Sequence, residues 1–192
     1  MSGKIMIIRH SLTEANEKGL YCGKTDLSLS AKGKSLAADL AKTGNYKVEP
    51  SCRFYTSGMK RTDETLKLLF GNVEYEALPD LREMDFGEFE MFSYEALKDR
   101  EDYQQWILGD NIKNKCPGGE RAEDMAERAI AAVLNLFKYK NAVIITHGGV
   151  IAAIMAHYFR QEEKNRYQWQ PEPCRGYCLA IENDIPVSYY KI

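Results

Sequence analysis

Apolar and polar positions come in alternating blocks along this chain. Ile5–Ile8 is a continuous apolar run, the pattern of a strand covered on both faces, and it ends abruptly in Arg9-His10. Ser30 predicts the N-cap of a helix that turns Leu36, Ala37 and Leu40 inward and stops near Gly44. Arg53–Thr56 reads as a second strand, followed by a helix through Thr65–Leu69 that stops at Gly71. Pro79–Glu90 reads as a loop, Ser93–Asp99 and Asp102–Leu108 as two short helices, and Pro117-Gly118-Gly119 as a turn. The clearest amphipathic helix carries Ala122, Met125, Ala126, Ala129, Ile130, Val133, Leu134 and Phe137. Ala142–Ile145 predicts a buried strand and Gly149–Phe159 a helix. Tyr177–Ile181 and Val187–Tyr190 predict a hairpin turning at Asn183-Asp184.

Strands that alternate with helices imply an α/β fold, a mostly parallel sheet with helices on both faces. Ligands of such sheets bind at the carboxyl ends of the strands. Arg9 and His10 therefore stand where a strand delivers side chains to the binding edge. Two other strand ends repeat the arrangement. One runs into Thr56-Ser-Gly-Met-Lys-Arg61 and one into Thr146-His147-Gly148-Gly149.

Composition narrows the choice of partner. The 192 residues are 44% hydrophobic and 28% charged with a net charge of −2, which gives no global electrostatic reason to bind nucleic acid or an anionic membrane. Only four apolar residues lie between Lys4 and Arg9, too few for the core of a signal peptide, and no run is long enough to span a bilayer. The five cysteines are scattered and odd in number, as expected of reduced thiols in a cytoplasmic protein. None of His10, His147 and His157 forms an H-x-x-x-H or H-x-H pair, so no metal is expected, and His157 reads as structural. Neither G-x-x-x-x-G-K-[S/T] nor G-x-G-x-x-G occurs, and no cofactor is expected.

Two arginines and two histidines at one sheet edge suit a phosphoryl group. Guanidinium forks bind phosphate oxygens, a helix N-terminus after His147 adds N–H donors, and a neutral imidazole is a competent nucleophile at phosphorus. The reaction also needs an acid for the leaving oxygen, a role open to a Glu whose pKa is raised. Each feature alone has a bland alternative: a hydrogen-bonded structural histidine, a solvated Lys60-Arg61 face, a tight turn at Thr146–Gly149, a surface acid at Glu83. Their joint occurrence at strand ends is what points to chemistry.

Six segments together resemble the histidine phosphatase superfamily, in its phosphoglycerate-mutase-like branch. They are Arg9-His-Ser-Leu-Thr-Glu-Ala-Asn16, Gly23–Gly33, Ser57–Arg61, Leu81–Gly87, Pro117-Gly-Gly-Glu120 and Thr146-His-Gly-Gly149. The resemblance implies a three-layer α/β/α sandwich and one histidine phosphatase domain over residues 1–192. It implies His10 as the phosphorylated nucleophile, Arg9, Arg61 and His147 as ligands of the transferring phosphoryl group, and Asn16 as a further donor. Glu83 becomes the acid for the leaving oxygen and then helps activate water. Thr13, Cys22, Gly23 and Gly148 are expected in the pocket. Ser11, Leu12 and Met91 depart from the family pattern. Ser11 replaces a Gly and is either a hydrogen-bonding partner near His10 or a tolerated small residue.

The implied activity is metal-independent hydrolysis of a small phosphorylated metabolite through phosphohistidine, with alpha-ribazole phosphate as a candidate substrate. A cofactor-dependent phosphoglycerate mutase and a non-catalytic phosphate-binding module on the same fold are the alternatives. Retention of His10, Glu83 and both arginines argues against the module. Against the mutase, only 35 positions separate Glu83 from Gly118, and Glu88–Cys116 has many acids and no paired arginines. Tyr21, Phe86, Phe89, Phe92, Tyr103 and Trp106 suit either core packing or a lid over the organic part of a substrate. The oligomeric state is open.

Overall fold

The computed structural model describes residues 3–109 and 112–192. A six-stranded sheet runs in the order β3-β2-β4-β1-β5-β6. Its strands are β1 (Gly3–Arg9), β2 (Arg53–Thr56), β3 (Glu76–Ala77), β4 (Asn141–Thr146), β5 (Gly176–Glu182) and β6 (Ile185–Lys191). The first four strands pair in parallel, while β5 runs antiparallel to β1 and to β6. The mostly parallel α/β sheet foreseen from the alternation is thus the observed one.

The pleat divides the core into two. Ile5 and Ile7 of β1 with Ala142 and Ile144 of β4 face one side, while Ile8 with Val143 and Ile145 face the other. Helices α6 (Ala122–Phe137) and α7 (Gly148–Tyr158) cover the first face through Met125, Ala129, Val133, Val150, Ile151 and Ile154. Helices α2 (Ala31–Ala41) and α3 (Lys60–Phe70) cover the second through Ala37, Leu66 and Leu69. No helix among the described residues is long and apolar enough to cross a membrane.

Ser30 caps α2 by accepting from Gly33 N at 3.0 Å. The helix ends at Ala41, one turn before Gly44, which takes a positive φ of 77°. Asn183 and Asp184, both at positive φ, make the tight turn between β5 and β6, which extend past their expected ends by one or two residues each. The Pro79–Glu90 loop contains two short 3₁₀ turns, Pro79–Leu81 and Gly87–Phe89. The pattern of α6 needs one correction: Leu134 is 54% exposed and Leu136 is buried in its place. At 3.6 residues per turn Leu134 lies roughly 120° round from the centre of the buried stripe. Three short elements had no periodicity to show them: α1 (Glu14–Glu17), β3 and a helix after α7, α8 (Arg166–Trp169); α4 (Tyr94–Leu97), capped by Ser93 and shorter than expected, and α5 (Glu101–Ile107) fall where expected.

Candidate active site

Three parallel strands end in register, and the residues that follow them meet. Arg9 pairs with Thr146 across β1 and β4, His10 N donates to Thr146 O at 2.9 Å, and Thr56 lies beside Ile145. The next side chains, His10, Ser57 and His147, are all buried. The two imidazoles stand edge to face with centroids 5.1 Å apart.

Their hydrogen bonds assign opposite tautomers. His10 Nδ1 lies 2.6 Å from Ser11 O, and a carbonyl only accepts, so Nδ1 carries the proton and Nε2 keeps its lone pair. His147 Nδ1 accepts from Arg61 Nε at 3.3 Å, so its proton is on Nε2, 2.8 Å from Ser57 Oγ. Ser57 Oγ then faces Thr62 Oγ1 at 3.1 Å, and Thr62 donates to Met59 O at 2.7 Å, a chain with one donor direction throughout. Burial, then the charge of Arg61, pushes His10 well below the ordinary imidazole range against the opposing pull of Ser11 O. Burial and Arg61 do the same to His147. Burial thus favours the neutral form of both rings, and His10 Nε2 has no hydrogen-bond partner among the described residues.

Arg61 is 1% exposed and is held by backbone. Its NH1 donates to Thr25 O at 2.8 Å and its NH2 to Gly23 O at 2.7 Å. With Nε on His147, three of its five N–H groups are engaged and two are left for an anion. Arg9 donates through NH1 to Pro171 O at 2.8 Å, and its buried Nε has no partner among the described residues. The Pro171–Arg175 segment thus wraps the end of β1, with Cys174 N on Arg9 O and Arg9 N on Arg175 O.

Glu83 reaches the same edge from the loop before Gly87. Its Oε1 accepts from Met84 N at 3.1 Å and its Oε2 from Gly149 N at 3.0 Å, in the first turn of α7. A Cβ at position 149 would overlap the Glu83 carboxylate, so the second Gly of Thr146-His-Gly-Gly149 makes room for the acid. The Glu83 backbone is stapled from behind. Arg128 donates to the carbonyls of Asp80, Arg82 and Glu83 and to both oxygens of Glu120, which accepts from Asp85 N at 2.9 Å. This gives Glu120 of the Pro117-Gly-Gly-Glu120 segment a structural task.

The remaining expected residues divide. Gly23 lies on the site through its carbonyl, and Cys22, its thiol raised by burial, donates to Thr25 O at 3.5 Å. Thr13 is fully buried, and its hydroxyl and N–H both donate to Asn16 Oδ1, capping α1. That bond leaves the Asn16 amide nitrogen without a protein partner among the described residues. Gly148 packs against the Gln170 side chain. Ser11 Oγ donates to Gly33 O at 2.7 Å, so its hydroxyl is tied to α2 and only its carbonyl serves His10. Of the six aromatics, Tyr21, Phe86, Phe89, Tyr103 and Trp106 pack on one another with centroids 5.1–6.3 Å apart, while Phe92 is exposed. These five form a packed cluster behind the acid loop.

Sequence reasoning passed over Ser57, Arg128 and Glu90 as functional residues. Ser57 stood inside a quoted motif, and Glu90 was one acid among several. Nothing in the order of residues marked Arg128, on the flank of α6.

With this geometry in view, comparison with known proteins is specific. The family description of the histidine phosphatase superfamily (branch 1) matches residues 5–188. The mouse protein 6-phosphofructo-2-kinase/fructose-2,6-bisphosphatase 1 is 32% identical over 156 residues, 80% of this chain and 32% of its own length. The chain thus spans about a third of the curated relatives it matches. Among solved structures, the alpha-ribazole phosphatase of Shigella flexneri superposes with a TM-score of 0.80 at 23% identity, covering 95% of this chain and 92% of that one. The phosphoglycerate mutase of Thermus thermophilus superposes with a TM-score of 0.70 at 25% identity and 98% coverage of both. The chain therefore belongs to branch 1 of the histidine phosphatase superfamily.

Proposed function

We propose that this chain hydrolyses a small phosphomonoester, without a metal ion, through a phosphohistidine on His10. The observation that carries the reading is the tautomer of His10: Nδ1–H is anchored on Ser11 O, and Nε2 is free beside Arg61 and His147. In the first step His10 Nε2 attacks phosphorus. The P–O ester bond breaks, and Glu83 delivers its proton to the leaving oxygen. The two free N–H groups of Arg61, Arg9 Nε and the Asn16 amide stabilise the equatorial oxygens. In the second step the Glu83 carboxylate takes a proton from water, the water oxygen bonds to phosphorus, and the P–N bond breaks. Inorganic phosphate leaves and His10 returns neutral.

Arg61 and Arg9 put fixed positive charge where charge gathers in the transition state, the task a metal ion performs in many phosphatases. His147 takes part through its Nδ1. A phosphoryl dianion arriving between Arg61 and His147 favours protonation there, which turns the acceptor into a donor. Alpha-ribazole phosphate is the first substrate to try, given the name of the Shigella relative.

The test is phosphate release from a panel of phosphomonoesters in excess EDTA, with acid-labile phosphoenzyme trapped by rapid quench. Release that survives EDTA and depends on His10 supports the reading. Activity restored only by added metal, or a phosphoenzyme that persists in His10→Ala, overturns it.

A further inference from the structure

After Arg82 the loop that carries Glu83 is acidic, and the anion-binding donors packed against it are already occupied. Glu83 opens the stretch Glu83-Met-Asp-Phe-Gly-Glu-Phe-Glu90, which has four carboxylates and no cation. This stretch packs directly on Cys22-Gly-Lys-Thr-Asp26; Gly23 approaches Met84 O so closely that a Cβ would overlap it. The Glu90 carboxylate lies in the turn of that second loop. It accepts from the N–H groups of Gly23, Lys24 and Thr25 at 2.9, 3.0 and 3.2 Å, from Thr25 Oγ1 at 2.6 Å and from Phe86 N at 3.1 Å. Successive backbone N–H groups in a turn make an anion-binding concavity. Here the anion in it is the protein's own. Lys24, the one cation of its loop, pairs with Asp85 at 3.2 Å. In the segment that follows, Lys98 pairs with Glu95 and Arg100 with Asp102, both at 2.6 Å.

We propose that the site selects phosphomonoesters whose leaving group carries no second acidic group, and disfavours bisphosphates and phosphorylated carboxylic acids. The proposal rests on the phosphohistidine reading above and names its substrate class. The phosphoryl group itself is served by Arg9 and Arg61. In the proposed reaction the leaving oxygen sits at Glu83, whose loop also carries Asp85 and Glu90, and those two carboxylates already engage the lysine and the amides of the 22–26 loop. Discrimination thus comes from repulsion and from donors withheld, with no clash of shape required.

A matched pair isolates the charge. Glycerol 3-phosphate and 3-phosphoglycerate differ at the end remote from phosphorus by a neutral alcohol against a carboxylate. Both are run as competitors of nitrophenyl phosphate hydrolysis in EDTA, so each yields an inhibition constant whether or not it turns over. Glycerol 3-phosphate is expected to compete about tenfold better or more at low salt. The gap narrows as salt rises, since exposed charges are screened. Asp85→Asn releases Lys24 while keeping an acceptor for Gly87 N, and narrows the gap further. Equal competition, or a preference for the acid, overturns the proposal while leaving His10-dependent hydrolysis of nitrophenyl phosphate intact. Loss of that hydrolysis instead brings down the phosphohistidine reading, so the two failures are told apart.

Discussion

The ends of β1 and β4 are neighbouring parallel strands, and each is followed at once by a buried histidine. They differ in what holds the ring. His10 rests on a backbone carbonyl that only accepts, which leaves Nε2 open. His147 rests on a hydroxyl relay through Ser57, with its other nitrogen on Arg61, so no lone pair is free. In the proposed function, one residue type at equivalent sheet positions serves as nucleophile in one place and as a charge-responsive partner in the other. The difference is made by the hydrogen-bond partner alone, because burial pushes both rings towards neutrality.

The largest expected effect breaks the symmetry outright. His10→Ala should lower kcat about 10⁴-fold or more and abolish the trapped phosphoenzyme, whereas His147→Asn should slow turnover yet still form it. A phosphoenzyme made by His10→Ala and lost in His147→Asn would reverse the assignment. Next comes the acid between the two strand ends. Glu83→Gln should cost roughly 10²–10³-fold on alkyl phosphates and only a few-fold on nitrophenyl phosphate, whose leaving group hardly needs a proton. Equal losses on both would remove Glu83 from that role.

Ser57→Ala sharpens the comparison by altering one ring only. It leaves the His147 Nε2–H buried without an acceptor and should cost about 1–3 kcal/mol of stability. It should also disturb the tautomer, read from the ¹⁵N shifts of His147 with those of His10 unchanged. A loss of stability with an unmoved tautomer would show that Ser57 only packs.

The shared neutrality of the rings predicts a pH effect. As pH falls below about 6.5 the unfolded chain takes up protons on both imidazoles while the folded chain does not. Stability therefore decreases with falling pH from that point until the lower folded values are reached. The melting temperature against pH should be less steep there in His147→Gln, and a slope equal to wild type would mean that His147 is charged in the fold. The smallest effect lies away from both strands. Met91 sits at a φ of 64°, where a side chain meets strain, so Met91→Gly should recover about 1 kcal/mol in denaturant unfolding.

The arginines, histidines and acid were legible in the sequence because chain order carries them. A continuous apolar run ending in Arg9-His10, and another ending in Thr146-His147, can only place those residues at a strand end. The sheet order then brings the ends together. The same periodicity set the long helices, and it misplaced Leu134 because a stripe counted by spacing drifts round the helix. The short elements α1, β3 and α8 bury too little to leave a pattern.

What the sequence determined by itself, then, was the sheet, its ligand edge and the residue types gathered there, all of which follow from local hydrophobic period and order along the chain. Only the tertiary structure decided which nitrogen of each histidine is free. It also decided that Glu90 fills the amides of the 22–26 loop, that Arg128 and Glu120 brace the acid, and that Pro171–Arg175 closes on Arg9. Each of these is a hydrogen bond between residues far apart in the chain or a choice of acceptor. Neither leaves a trace in composition or spacing, because directional bonds form only once packing has fixed where the partners stand.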